Sequence, residues 1–265
     1  MTIEYHWLEG RYERLPALMT ELVGRPVAVI ATPASIPAAQ AAKAATSAIP
    51  IVFGVGDDPV KLGLVASLSR PGGNATGVNF FVAEVVAKRL GLLHDLVPAA
   101  ARIAVIVNPA YVAVNEATVR DVKKSTGTLG LQIQIFEAGT SREIDAAFAA
   151  IARERADALF VAPDAFFHSC RAQFVTLAAR NRIPASYSSR DYPEVGGLMS
   201  YDADILDSAR QVGVYAGKIL NGAKPADLPV TQSIRFEFVI NLQTARALGI
   251  EVPNAIQLLA DEVIE

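Results

Sequence analysis

Ile103-Ala-Val-Ile-Val107, Ile133-Gln-Ile-Phe136 and Ala158-Leu-Phe-Val161 are short, largely apolar runs rich in β-branched residues. Between the second and third stands Thr140-Ser-Arg-Glu143, followed by Ile144, Ala147, Phe148 and Ile151. The stretch 103–161 decides the fold. Continuous apolar runs fit parallel strands covered on both faces better than strands with one wet face. The four apolar residues, at spacings of three and four, share one face of a helix. Thr140 and Glu143 stand where a capping box opens that helix. Gly130 stands where a C-cap glycine ends the helical stretch before it. Strand, helix, strand in this order implies right-handed crossovers and a doubly wound parallel sheet.

The same alternation extends toward the amino terminus. Val27-Ala-Val-Ile-Ala31 and Ile51-Val-Phe53 read as strands. Leu15, Leu18, Met19 and Leu22 form one helical stripe, and Val82, Val85, Val86, Leu90, Leu93 and Val97 form another. Two glycine-rich breaks, Pro71-Gly-Gly-Asn-Ala-Thr-Gly77 and Glu194-Val-Gly-Gly197, are each followed by extended residues, Val78-Asn-Phe-Phe81 and Leu198-Met-Ser-Tyr201. Both read as crossings between two α/β lobes, with hinge motion expected near them. Residues 1–78 with about 202–228, including a helix from Ile205 to Leu220, make up the N-terminal lobe. Residues 79–201 with about 229–265 make up the C-terminal lobe, with a further strand over 234–240.

At 265 residues and 52% hydrophobic content, the chain has core enough for one large or two small domains. A net charge of −3, with Lys and Arg scattered, gives no footprint for nucleic acid. No eighteen-residue apolar run is present to cross a membrane as a helix. Cys170 is the single cysteine, which excludes an internal disulfide and a cysteine-based zinc cluster.

In open parallel sheets, ligands bind beyond the carboxyl ends of the strands. That rule selects Thr32-Pro-Ala-Ser35, Gly54-Val-Gly-Asp-Asp-Pro59, Asn108-Pro-Ala-Tyr111, Pro163-Asp-Ala-Phe-Phe167 and Tyr187-Ser-Ser-Arg190. If the lobes face each other, these loops converge on one cleft, with hydroxyls, carboxylates, amides and aromatic rings suited to a small polar or zwitterionic ligand. The candidate ligand-binding residues are Thr32, Ser35, Gly56, Asp57, Asn79, Phe80, Asn108, Pro109, Asp164, Ala165, Phe166, Tyr187 and Ser188.

Each candidate carries a plainer alternative. Ser35 either helps a helix start bind a carboxylate or is only that helix's N-cap. One of Asp57 and Asp58 holds a ligand ammonium, or both are turn formers before Pro59. The rings of Phe80, Phe81, Phe166, Phe167 and Tyr187 either sandwich an aromatic ligand or belong to the core. Asn79 and Asn108 bind ligand amides or shape turns. Arg190 clamps a carboxylate or is a solvated surface arginine.

No catalytic set emerges. His6, His94 and His168 fall on different elements, and isolated histidines are the expected state, with His94 on the polar side of its helix. Neither Gly-x-Ser-x-Gly nor His-Glu-x-x-His occurs, and there is no phosphate loop. Gly54-Val-Gly56 lacks the third glycine of a dinucleotide fingerprint. No catalytic residue, metal ligand or cofactor is expected, and a binding protein fits better than an enzyme.

The carboxyl-terminal run Ala226-Asp-Leu-Pro-Val-Thr-Gln-Ser-Ile-Arg-Phe-Glu-Phe-Val-Ile-Asn-Leu-Gln-Thr-Ala-Arg-Ala-Leu-Gly249, closed by Ala260-Asp-Glu-Val-Ile-Glu265, resembles one group of ABC-transporter solute-binding proteins. This is the tryptophan/tyrosine-binding-like group. Further matching runs are Ile3 to Pro16, Ala42 to Thr46, Ile49 to Phe53, Asp57-Asp-Pro-Val60, Leu64 to Asn74 and Gly196-Gly-Leu-Met-Ser-Tyr201. The resemblance implies a two-lobed periplasmic-binding fold of type I with three hinge strands. It implies a solute-binding component of an ABC importer, with an amino-acid-like polar or aromatic ligand and a membrane permease as partner. It also implies a periplasmic location, and a site role for an aspartate in the Gly-Asp-Pro-Val-like run. Two other readings compete: a cytoplasmic ligand-sensing domain of the same fold, and a small α/β enzyme using Asp57 or His168.

The family carries a signal peptide, a first strand and a first helix ahead of the strand that resembles Ile3 to Trp7. Here Met1 stands directly before that strand, with no basic and apolar leader. The expectation is an N-terminal lobe without its central strand. Thr2 to Trp7 then either slides in beside Val27 to Ala31 or pairs with a second chain, and self-association through the incomplete lobe is expected.

Overall fold

A computed structural model of the chain describes residues 2–8, 11–80, 82–110, 112–232 and 235–265. Irregular residues 2–8 and a 3-10 turn at Tyr12–Arg14 lead into α1 (Leu15–Val23), β1 (Ile30–Thr32), α2 (Ile36–Ala45), β2 (Ile51–Val55) and β3 (Ala75–Asn79). Then come α3 (Val82–Leu96), β4 (Arg102–Val107), α4 (Val112–Leu129), β5 (Gln132–Glu137), α5 (Ser141–Glu154) and β6 (Ala158–Val161). They are followed by α6 (Ala165–Ser169), α7 (Arg171–Arg180), β7 (Ala185–Tyr187), α8 (Asp191–Glu194), β8 (Met199–Ala203) and α9 (Ile205–Leu220). The last elements are β9 (Thr231–Gln232), β10 (Phe236–Asn241), α10 (Leu242–Leu248), α11 (Asn254–Leu259) and β11 (Glu262–Ile264).

These elements form two compact units, Met1–Val82 with Ala203–Arg235, and Ala83–Asp202 with Phe236–Glu265. The backbone therefore passes from one unit to the other three times. The last passage follows Arg235 rather than residue 228, because β9 pairs parallel with β3, Thr231 opposite Val78 and Gln232 opposite Asn79.

The first unit is built on a parallel sheet of order β1-β2-β3-β9. Its two faces take alternate residues, as the pleat requires. Ile51, Phe53 and Val55 pack with Leu15, Met19, Ala38, Ala39 and Ala42 from α1 and α2. Val52 and Val78 pack on the other face with Val212, Tyr215 and Ile219 from α9. Helices on both faces make the sheet doubly wound. Each fully buried side chain of this size contributes about 1.5–3 kcal/mol.

β1 stands at the end of this sheet's order. Thr2 to Leu8 form no strand, and Ile3, Tyr5 and Trp7 are 59%, 71% and 78% exposed. The expected slide of this segment into the sheet is therefore corrected. The segment is held instead by Glu4, which pairs with Arg25 at 2.6 Å, and by the stacking of Tyr5 on Trp7. Tyr5, His6, Trp7 and Leu8 face Ala17, Leu18 and Glu21 of α1 across an open groove.

The second unit holds a sheet of order β11-β10-β8-β7-β6-β4-β5. The pairs from β5 through β4, β6 and β7 to β8 are all parallel, which is the doubly wound order expected from alternating strands and helices. One core cluster sets Ile144, Ala147, Phe148 and Ile151 of α5 and Phe174 of α7 against Leu159 and Val161 of β6. On α3, Val85, Val86, Leu90 and Leu93 are buried as the stripe requires, while the side chain of Val82 lies outside the described part. Arg190 fastens the far edge, donating to Glu194 at 2.8 Å and to Glu237 of β10 and Glu262 of β11 at 2.6 Å each.

Candidate functional site

Parallel strands point their carboxyl ends to one edge of a sheet, so the loops after them share that edge. In the first unit the sequence candidates all lie there. Thr32 ends β1 and is buried, its Oγ1 without a hydrogen-bond partner among the described residues. Ser35 is the N-cap of α2, its Oγ accepting from the Ala38 N–H at 3.3 Å. Gly56 is buried just beyond β2, and Asp57 after it is half-buried. Asn79 ends β3 and donates from Nδ2 to the Asp57 carbonyl at 2.6 Å, tying the two loops together. The Phe80 N–H donates to the Val55 carbonyl at 3.1 Å, and its ring is nearly buried. Asp58 plays the plainer part: its exposed carboxylate accepts from the Val60 N–H at 2.9 Å and shapes the turn.

In the second unit Asn108 follows β4 and Asp164 follows β6. The Asn108 amide donates to both Asp164 oxygens at 3.2 Å, and Asp164 also caps α6 by accepting from the Phe167 N–H at 2.9 Å. Pro109 and Ala165 are exposed beside them, and Phe166 and Ser188 are half-buried. Phe167 and Tyr187 belong to the core cluster instead. The Tyr187 ring stacks on Tyr192 at 4.4 Å, and its buried hydroxyl has no partner among the described residues. Burial pushes both phenols well above the usual tyrosine range, so neither ionises near neutral pH. Phe81 and Tyr111 lie outside the described residues.

Sequence reasoning missed Arg89. It falls on the apolar stripe of α3, three and four residues after Val86 and Val85, and that misplaced charge was the available signal. Its side chain is fully buried. The guanidinium lies over the Phe160 ring, 3.7 Å from the centroid, and Nη2 donates to the Val161 carbonyl at the end of β6. Nε and Nη1 have no partner among the described residues. Burial lowers its pKa to about 10, against the raising influence of Asp202 and Tyr192, so it stays a cation at neutral pH.

Three other expectations change. Arg190 is neither a carboxylate clamp for a ligand nor a free surface group, since three glutamates hold it and raise its pKa, Glu194 foremost. His168 is paired, its Nε2 2.5 Å from Asp191. His94 is half-buried rather than on a purely polar face, and its Nδ1 is buried without a partner among the described residues.

Two α/β units with parallel sheets, joined by three passages of the chain, define a protein of the type I periplasmic-binding class. The chain belongs to the ABC transporter substrate binding protein family, whose profile matches residues 1–264. It is 32% identical over 225 residues to a tyrosine-binding protein of Clostridioides difficile, covering 83% of this chain and 63% of that relative's length. The ABC domain of Streptococcus pneumoniae solved in complex with L-Trp is similar, with a TM-score of 0.83 and 28% identity over 96% of this chain and 84% of its own. A conserved domain protein of Vibrio cholerae superposes with a TM-score of 0.87 and 28% identity, covering 99% of this chain and 87% of that one.

Proposed function

We propose that this chain is the solute-binding component of an ABC importer and takes an amino-acid-like, aromatic ligand. The observation that carries this reading is the Asn108–Asp164 pair. It fixes a carboxylate at the carboxyl ends of two parallel strands, where ligands of open α/β sheets bind. In the first unit Asp57 is the candidate carboxylate, beyond the carboxyl end of β2. Relatives that bind tyrosine and L-Trp support an aromatic amino acid. In this reading Thr32, Ser35, Gly56, Asn79, Phe80, Pro109, Ala165, Phe166 and Ser188 are the further ligand-binding candidates of the two units. The protein works outside the cytoplasm and hands its ligand to a membrane permease, and a second copy of the chain is a further partner at the β1 edge.

Calorimetric titration with L-tyrosine and L-tryptophan tests the reading. Saturable binding of either one is expected, and Asp57→Asn is expected to weaken it more than about tenfold, or 1.4 kcal/mol, through loss of the ammonium partner. Absence of binding by both amino acids overturns the ligand class. Unchanged affinity in the variant removes Asp57 from the site.

A further inference from the structure

A buried guanidinium is expensive unless its N–H groups are matched. Arg89 matches one, Nη2, with the Val161 carbonyl. The Phe160 face beneath it offers a weak partner. Nε and Nη1 are unmatched among the described residues, and each flanks Nη2, whose second hydrogen completes a fork to a carboxylate with one of them. A second unmatched group lies on the strand beside Phe160. Phe160 and Ser186 are register partners on adjacent parallel strands, so their side chains rise from the same sheet face. Ser186 is fully buried and its Oγ also has no partner among the described residues. A buried guanidinium and a buried hydroxyl thus share one face of the second unit's sheet near the carboxyl end of β6. Structural polar networks seldom leave neighbouring groups unmatched.

We propose that Arg89 is the anion anchor of the second unit's site, its remaining guanidinium N–H groups taking the ligand's carboxylate with Ser186 Oγ as a further donor. The assignment rests on the reading that the ligand is a small amino-acid-like molecule, and it names the group that holds the acid end. Asp164 is then this unit's candidate for the ammonium end. Phe160 is filled by the guanidinium and does not stack on the ligand. Because Arg89 is fully buried, the ligand reaches it only through an opening of the surrounding surface.

The test uses the whole chain and compares acids with their carboxylate-free analogues. Calorimetry is run with L-tyrosine and tyramine, and with L-tryptophan and tryptamine, on wild type, Arg89→Met, Arg89→Lys and Ser186→Ala. Wild type is expected to prefer the acid by more than about tenfold. Arg89→Met is expected to abolish that preference while leaving amine affinity within about twofold, a split that a purely structural arginine does not produce. Arg89→Lys keeps a point charge without the fork and falls between. If Arg89→Met is unfolded by circular dichroism, Ser186→Ala decides: a preference cut severalfold supports the anchor, and an unchanged preference overturns it. A folded Arg89→Met that keeps the preference overturns it as well, and so does a wild type that binds acid and amine alike.

If neither amino acid binds, the melting temperature is followed with phenylacetate and indole-3-acetate against their amides. Stabilisation by the acids alone, lost in Arg89→Met or Ser186→Ala, upholds Arg89 and ends only the amino-acid reading. Acid-selective stabilisation that survives both substitutions overturns the anchor. No stabilisation by any carboxylate, as expected if an internal water fills the gap, also overturns it.

Discussion

A Cβ placed on Gly77 would stand 2.0 Å from the carbonyl oxygen of Phe53 on the neighbouring strand. No side-chain rotation relieves such a contact, because both atoms belong to the backbone or are fixed to it. Gly77→Ala is therefore expected to cost about 3 kcal/mol or more through forced backbone displacement. Urea denaturation midpoints check it, and a loss below about 1 kcal/mol would mean that β2 and β3 can separate at little cost. The sequence read this glycine as part of a flexible break. Its actual reason, close approach to a strand 24 positions away, depends on a pairing that no local pattern encodes. Asp57 and Asp58 teach the same lesson in reverse. They are adjacent in sequence, and the Val60 N–H hydrogen bond, which identifies Asp58 as a turn former, is visible only in the structure. Arg89 was legible in principle as a charge on an apolar helical stripe. Its unmatched N–H groups were not legible, because they depend on Phe160, Val161 and Ser186, which come from distant strands.

Elements with strong periodicity were read well because their signal is local. The α5 stripe of Ile144, Ala147, Phe148 and Ile151 is buried as spaced, and Thr140 caps the helix by accepting from the Glu143 N–H at 3.3 Å. Glu143 reaches back one residue further than a standard box requires, accepting from the Gly139 N–H at 2.7 Å. Thr140→Ala is expected to lower stability by about 1 kcal/mol, measured by thermal melting, and no change would mean that water replaces the cap. Strand ends were less legible. Val27 to Val29 read as strand, yet pairing with β2 begins at Ile30, because an edge strand's extent is set by its neighbour.

β4 has an anchor at its start that the sequence did not reveal. Asp157 accepts from the N–H groups of Arg102 at 2.8 Å and Ala101 at 3.0 Å. Burial acts to raise its pKa, but these backbone bonds and the nearby Arg102 guanidinium outweigh it and hold the carboxyl below the usual aspartate range. A depressed carboxyl stabilises the fold above its unfolded pKa of about 3.9, and that stability is lost as pH falls through the folded value. Asp157→Asn should therefore reduce stability at neutral pH and flatten the acid limb of the stability profile. Urea midpoints measured from neutral pH downward check the sign, and a variant whose acid limb is as steep as wild type removes Asp157 from it.

At the scale of the whole molecule, the two sheets differ at one end. In the second, β4 and β5 continue the sheet beyond β6, whereas the first ends at β1. The Ile30 N–H donates to the Pro50 carbonyl, so the alternation of a strand turns the Ala31 N–H outward. An outward row of backbone donors and acceptors is a template for pairing with another chain. Ile3, Tyr5 and Trp7 of the same unit are largely exposed and add apolar surface that a monomer keeps wet. We expect two copies to join about a two-fold axis, β1 to β1, which makes the new pairing antiparallel and closed. Sedimentation across a concentration series should show a dimer. Ala31→Pro, which removes an outward donor while leaving the inward Ile30 bond in place, should return the chain to a monomer without loss of secondary structure. Trp7→Ser should weaken the dimer without abolishing it, since the main-chain bonds remain. A wild-type chain that stays monomeric at every concentration ends the proposal. A dimer that survives Ala31→Pro moves the interface away from this edge, leaving the exposed Tyr5 and Trp7 as the surface to test next.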